Sequence, residues 1–231
     1  MNPDNHAGIK EAKNQYSGDL TILAHHYQQD GIVAHADFLG DSLELARKIP
    51  QLESKYVVMC GVYFMAESAA ILAKDSQEVY IPESGAGCVL SEMSPASLVN
   101  YALQRINILS GQRVIPLTYV NTSAAVKAIT GIYGGAVCTS ANAGKMLDWA
   151  LQQGDSVLFL PDRNLGQNIA SRLGVPDNEQ VVLDLDSMKV PGGKKLYIWP
   201  GYCDVHERMK PEHIQTVREK YPKAHVIVHP E

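Results

Sequence analysis

The feature that most constrains the fold is a recurring order of segments. A short apolar run is followed by a cluster of small and polar residues, then by a stretch with helical spacing. The pattern recurs at "LTILAHHYQ", "KYVVMCGVYFMAES", "EVYIPESGAGC", "RVIPLTYVNTS", "GGAVCTSANAGK", "SVLFLPDRNLGQ", "KLYIWPGYCDVH" and "HVIVHPE". Helical stretches lie between them at "DSLELARKI", "AESAAILAKD", "TSAAVKAIT" and "GKMLDWALQQG", the last ending on Gly154 as a C-cap. Strands alternating with helices build βαβ units and parallel sheets covered on both faces. The expected class is therefore α/β, with three-layer αβα domains. In such sheets ligands bind beyond the carboxyl ends of the strands, where the polar clusters fall.

The order repeats on a larger scale. "ILAHHY", "PLTYVN" and "VIVHPE", at residues 22–27, 116–121 and 226–231, each read as the first strand of a unit. In the last of them Val226, Ile227 and Val228 read as a short buried strand, because β-branched residues suit a packed pleated surface. The first unit closes with Cys88 in "SGAGC" and the second with Cys203 in "WPGYC". The chain thus reads as residues 1–95, residues 96–210 and, at 211–231, the start of a third, incomplete domain. No Ser/Gly- or Pro-rich linker separates them. Two stretches in the second unit, "NYALQRINILSGQR" and "NEQVVLDLDSMKVPGGKK", read as loop or helix extensions.

A chain of 231 residues, 45% hydrophobic and 19% charged, has the balance of a soluble globular protein. Its net charge of −5 argues against nucleic acid or an anionic membrane as partner. The polar start "MNPDNHAGIKEAKNQYSGD" lacks the apolar core of a signal peptide. No apolar run reaches the ~18–20 residues of a membrane span. A cytoplasmic location follows as the expectation. The four cysteines should then stay reduced, as ligands, nucleophiles or core residues rather than a disulfide.

Cys88 and Cys203 lie in glycine-bearing loops, where backbone rather than packing sets the sulfur. Cys60, inside "VVMCGVY", reads as core, and Cys138, ending "GAVC", as packing close to a strand end. In "AHHYQ", alternation puts His25 and Tyr27 on one side and His26 on the other. Histidine titrates near neutrality, so His25, and His229 with Glu231 in "HPE", suit acid–base work. Three helix starts offer caps: Asp41 or Ser42, Asn121 to Ser123, and Thr139 or Ser140. Ordinary capping accounts for each, whereas three at the rim of one site would hold carboxylates or phosphates on backbone N–H groups. Tyr119 and Asn121 would add hydrogen bonds from the same face. Arg163 either binds an anion or pairs with Asp162 or another neighbour. Asp204, His206 and Glu207 read as orienters of Cys203 or as solvated loop groups.

"ILAHHYQ", "GDSLELARK", "GVYFMAESA", "YVNTSA", "VCTSANA", "PDRNLGQ", "GYCDVHE" and "VIVHPE" resemble the quinolinate synthase family, in the same order across nearly the whole chain. The resemblance implies three αβα domains related by a pseudo-threefold axis, with the site at their junction. It implies an enzyme of NAD biosynthesis with a 4Fe-4S cluster held by three cysteines, one iron open to substrate. The implied reaction condenses iminoaspartate with dihydroxyacetone phosphate and releases phosphate and two waters. Carried over by position, Cys88 and Cys203 look like two cluster ligands. His25, Ser42, Tyr119, Val120, Asn121, Ser140, His229, Pro230 and Glu231 fall at substrate-contact positions, and Tyr27 and Phe64 at the pocket lining. His25, Tyr27, His229 and Glu231 would move protons. An enzyme that supplies the unstable imine is the implied protein partner, with no role for nucleic acid or membrane.

No cysteine follows Cys203, so the family's third cluster ligand has no counterpart here. The expectation is a C-terminally truncated chain, inactive as it stands. Two other readings compete: a cluster-free α/β protein that binds anions at helix starts, and a cysteine enzyme with Cys88 or Cys203 as nucleophile. A low thiol pKa without iron uptake would mark the nucleophile.

Overall fold

The computed structural model describes residues 3–187 and 189–229. The chain divides into two compact units, Met1–Cys88 and Val89–Glu231. Each is a parallel sheet flanked by helices, the α/β class expected from the segment order.

The first unit runs α1 (Pro3–Gln15), β1 (Leu20–His25), α2 (Asp30–Val33), β2 (Phe38–Gly40), α3 (Ser42–Lys48), β3 (Tyr56–Cys60), α4 (Tyr63–Leu72) and β4 (Glu78–Tyr80). The strands pair in the order β2-β1-β3-β4, all parallel. β1 is buried from Thr21 to His25, as a strand covered on both faces must be. Leu23, Ala24, Val57 and Met59 of the sheet and Leu45, Ile49, Met65 and Ala69 around it form the core. The polar helix α1 carries no apolar stripe to announce it. It is tied down by polar contacts instead: Lys13 Nζ donates to the His35 carbonyl at 2.9 Å and to Asp37 Oδ1 at 2.6 Å, while His6 Nδ1 meets His35 Nε2 at 2.7 Å. Asp37 also accepts from the Ile22 amide at 2.8 Å, which joins this cluster to β1.

The second unit runs α5 (Val89–Glu92), α6 (Ala96–Ser110), β5 (Val114–Tyr119), α7 (Ala124–Ile132), β6 (Ala136–Cys138), α8 (Ala143–Gln153), β7 (Ser156–Leu160), α9 (Arg163–Arg172), β8 (Gln180–Val182), β9 (Leu196–Ile198) and α10 (Pro211–Lys220). The sheet order is β6-β5-β7-β9-β8, again all parallel. Val99, Leu103 and Ile106 of α6 pack with Val126, Leu158, Leu160, Tyr197 and Trp199. The Trp199 indole N–H, inside this core, donates to the Met93 carbonyl at 2.9 Å. β5 accommodates Pro116 because pairing to β6 begins only at Leu117.

The extensions acquire definite form. "NYALQRINILSGQR" is most of α6 with its left-handed cap at Gly111, and "NEQVV" supplies β8, an added edge strand. Gly154 does end α8, but in an extended conformation. A side chain there would bring Cβ within 2.6 Å of the Arg113 carbonyl oxygen, so close approach, not a left-handed turn, selects glycine.

One strand expectation is corrected. Val226–Val228 forms no strand, and Ile227 and Val228 are 91% and 72% exposed. β-branched residues favour a pleated surface only where a neighbouring strand supplies the ladder, and no described residue pairs with these.

Candidate functional site

Both sheets share a topological feature that places their sites. In the first, β1 leads to β2 on one side while β3 lies on the other, so the winding reverses between β1 and β3. In the second the reversal falls between β5 and β7. Open parallel sheets bind ligands outside the carboxyl ends of the strands at such a switch point. The residues there are His25 to Tyr27 at the end of β1, Cys60 as the last residue of β3, Tyr119 to Asn121 at the end of β5, and Asp162 after β7.

At the first switch point His25 ends β1, paired in register with Gly40. Its ring is stacked on Tyr27, centroids 3.6 Å apart, so these two side chains do share a side. The Tyr27 amide donates to His25 Nδ1 at 3.4 Å, which assigns the ring proton to Nε2. Burial and the neighbouring His26 lower the His25 pKa to about 4, with Asp41 opposing, so the ring is neutral at neutral pH. Tyr27 is 57% exposed; its hydroxyl reaches toward Met65 Sδ at 4.0 Å. Desolvation, then the charge of a nearby Cys88 thiolate, raise its pKa, so the phenol keeps its proton. His25, Tyr27 and Cys88 therefore form one neighbourhood. Phe64 is buried in α4, and Cys60 is half-buried rather than fully core, its thiol pKa raised by desolvation.

The cap beside this neighbourhood is Asp41, not Ser42. Its Oδ1 accepts from the Leu43 and Glu44 amides at 2.9 and 2.8 Å, and Ser42 is the first helical residue. A carboxylate already occupies that helix start, which weakens its use as an anion site.

In the second unit Tyr119 ends β5, 7% exposed. The Val120 amide donates to the Cys138 carbonyl at 2.8 Å, and Asn121 lies beyond the strand in a turn. Ser123, not Asn121, caps α7, accepting from the Val126 amide at 3.3 Å. Before α8 the N-cap position is Asn142 rather than Thr139 or Ser140. Its Oδ1 accepts from the Thr139 amide at 2.7 Å, holding a turn that displays Ser140. Ser140 Oγ lies 3.0 Å from His229 Nε2, and the His229 ring stands 5.5 Å from that of His206. Ser140 and His229 are thus brought into contact. Pro230 and Glu231 lie outside the described residues.

Cys203 follows β9 on a half-buried loop. The loop enters through Gly201, bridged to Asp162, where a Cβ would stand 2.5 Å from the Pro161 carbonyl oxygen. Asp162 is fully buried and caps α9 through the Leu165 amide at 2.6 Å. Arg163 pairs with a neighbour, Glu207, at 3.4 Å, and Asp204 pairs with Arg208 at 2.9 Å. Both carboxylates after Cys203 are engaged by arginines. Cys138 is packed as expected: it is 1% exposed, and burial pushes its thiol up to about 12.

All four cysteines are free. Cys88 and Cys203, half-buried in strand-end loops, are soft donors of the kind iron–sulfur clusters use. Among the described residues no three His, Cys, Asp or Glu side chains converge as a metal site. Taken one by one, each thiol is a donor of the chemistry a cluster takes. One residue that the sequence reading passed over is Lys127, whose ammonium reaches back to the Thr122 carbonyl at 2.9 Å. Nothing in the sequence pattern marks it, since a lysine in a helix is ordinarily a solvated group.

Two parallel-sheet α/β units, each with polar and thiol groups at its strand ends, define a class of strand-end-site proteins within which chemistry is set by the loops. Residues 7–231 match the family described as NadA, quinolinate synthetase A protein, and the chain belongs to that family. It is 42% identical over 233 residues to a quinolinate synthase of Acidobacterium capsulatum, covering 96% of this chain and 62% of that protein. It is 42% identical over 231 residues to one of Haloarcula marismortui, covering 96% and 61%. Against one of Corynebacterium glutamicum it is 41% identical over 236 residues, covering 98% and 59%. The chain spans about three fifths of the length of the curated relatives it matches. Among the described residues no helix is long and apolar enough to cross a membrane.

Proposed function

We propose that this protein takes part in quinolinate formation for NAD biosynthesis, condensing iminoaspartate with dihydroxyacetone phosphate. The observation that carries the reading is the family match over residues 7–231. The grouping of His25, Tyr27 and Cys88 at one switch point supports it. Cys88 and Cys203 would supply two thiolates to a 4Fe-4S cluster. Such a cluster, when bound, supplies an open iron as Lewis acid.

The chain's own residues do the rest. His25, neutral with its proton on Nε2, donates a hydrogen bond or, through the same nitrogen once the proton has moved, accepts one. The Tyr27 phenol, protonated and stacked on that ring, hands on a proton for imine formation and dehydration. Ser42, Tyr119, Val120, Asn121 and Ser140 position the anionic groups, with Ser140 orienting His229. His229, Pro230 and Glu231 complete the substrate contacts, His229 and Glu231 as proton carriers. The imine hydrolyses readily, so an enzyme that releases it close by is the partner implied. The setting is the cytoplasm.

The test is to express the protein from its gene without oxygen, load iron and sulfide, and assay quinolinate from dihydroxyacetone phosphate and iminoaspartate made in situ from oxaloacetate and ammonia. Quinolinate formation that disappears in Cys88→Ser and Cys203→Ser supports the reading. A cluster-loaded protein that forms none refutes it.

A further inference from the structure

The turn after β5 is closed from outside by a charged donor, and we propose that Lys127 is a positioning residue that fixes Tyr119 and Asn121 for an anionic substrate. The inference rests on the function proposed above and adds a residue to it.

The turn is tied through Thr122, which is fully buried. Its amide donates to the Val120 carbonyl at 2.8 Å and its hydroxyl to the Tyr119 carbonyl at 3.1 Å. Its own carbonyl accepts from Lys127 Nζ at 2.9 Å. Every backbone and hydroxyl group of Thr122 is therefore spent on the shape of the segment Tyr119–Thr122. The segment is joined to the neighbouring strand by the Val120 amide on Cys138. Asn121, between these ties, is the half-buried residue left at the tip.

The position of the ammonium is informative. Lys127 is the fourth residue of α7, and its side chain turns back to the residue that precedes the Ser123 cap. A cation at a helix amino end sits against the helix dipole and gives up rotamer freedom to stay there. Capping does not require it, because Ser123 already serves the Val126 amide. What Lys127 adds is a charge-assisted bond to a buried carbonyl, the kind that holds a turn to one geometry.

The experiment uses the protein as expressed from its gene and loaded with its cluster. Three variants are compared: Lys127→Met, Lys127→Arg, and Thr130→Val. The last destabilises α7 at the buried hydroxyl contact with Thr118 of β5 and leaves every hydrogen bond that ties the turn in place. Lys127→Met should raise KM for the imine and lower kcat/KM by about 10- to 100-fold, the scale of a misplaced contact. Iron content should stay unchanged, and Lys127→Arg should recover most of the loss. Thr130→Val should lower the melting temperature with kinetic constants near those of the parent. Kinetic constants for Lys127→Met that match those of Thr130→Val would overturn the proposal. Amide exchange separates this outcome from failure of the proposed function. If the parent makes no quinolinate, the function fails, and exchange at Val120 and Thr122 decides the positioning claim alone. Faster exchange there in Lys127→Met but not in Thr130→Val upholds it, and unchanged exchange overturns it.

Discussion

Lowering the pH tests the environment of His25 directly. Its folded-state pKa is lowered from 6.5 to about 4, chiefly by burial and then by His26. The unfolded chain takes up this proton near pH 6.5, whereas the folded chain resists it until about pH 4. The contribution to stability is therefore constant above about pH 6.5, falls as the pH drops toward 4, and is flat below. The full shift corresponds to about 3 kcal/mol at ~1.4 kcal/mol per unit, reduced by solvent screening at a strand end open to a loop. Between pH 7 and pH 5 the loss from this one ring should be about 1–2 kcal/mol. Other groups titrate over the same range, among them His35, whose pKa burial and His6 also lower. The assay is therefore a difference: urea unfolding at pH 7 and pH 5 for the protein and for His25→Gln. The variant should lose about 1–2 kcal/mol less on acidification. In parallel, NMR titration of the histidine rings should find His25 uncharged at pH 5. A His25 ring that titrates near 6.5, or an equal acid loss in both proteins, would refute the argument.

Alkylation by iodoacetamide at pH 8 should label Cys88 and Cys203 in the cluster-free native protein and leave Cys138 unmodified until denaturant is added, as mapped by peptide mass spectrometry. Trp199→Phe should cost about 2–4 kcal/mol in denaturant unfolding, because the volume of a fully buried indole is lost and the half-buried Met93 carbonyl loses its donor. Asp41→Ala should cost about 1 kcal/mol by removing the cap of α3, read as a shift in the unfolding midpoint. Ser140→Ala should change unfolding free energy by less than about 1 kcal/mol, since its bond to His229 is exposed, and on the proposed function it should raise KM for the imine.

The elements that could be read ahead of the structure were those whose burial writes itself into the sequence. β1, β5 and β7 are covered on both faces, so each shows as a continuous apolar run. β2 and β8 are three-residue edge strands with partly exposed side chains, and no such run betrays them. The reverse error at Val226–Val228 has the same cause: an apolar run reports what a segment is able to bury, not whether a sheet is there to receive it. At the site, alternation correctly put His25 with Tyr27, because strand geometry is local. The caps resolved less well, since at each helix start several adjacent residues can accept a hydrogen bond from a free amide and the sequence does not rank them. Lys127 was invisible for a stronger reason: its partner carbonyl is defined only after the turn at Thr122 has closed.

The two sheets account for why the cysteines had looked equivalent when only their flanking glycines were visible. β1 and β5 each stand second in their sheets, with the next strand in sequence on one side and the one after it on the other. β4 and β9 each stand fourth, and β8 is an addition outside β9. Cys88 follows β4 and Cys203 follows β9, so each thiol leaves its sheet from the same place in the winding order. In a parallel sheet the carboxyl ends of all strands lie at one edge, the edge at which the first strand presents His25 or Tyr119. The likeness of the two glycine-bearing loops is then a consequence of duplicated topology. On the proposed function, moving Cys203 by one residue, in a Tyr202→Cys/Cys203→Ser exchange, should abolish iron uptake at that thiolate even though a cysteine remains in the loop. Iron and acid-labile sulfide counted after reconstitution would decide it, and undiminished uptake would show that the loop, not the sheet, sets the sulfur.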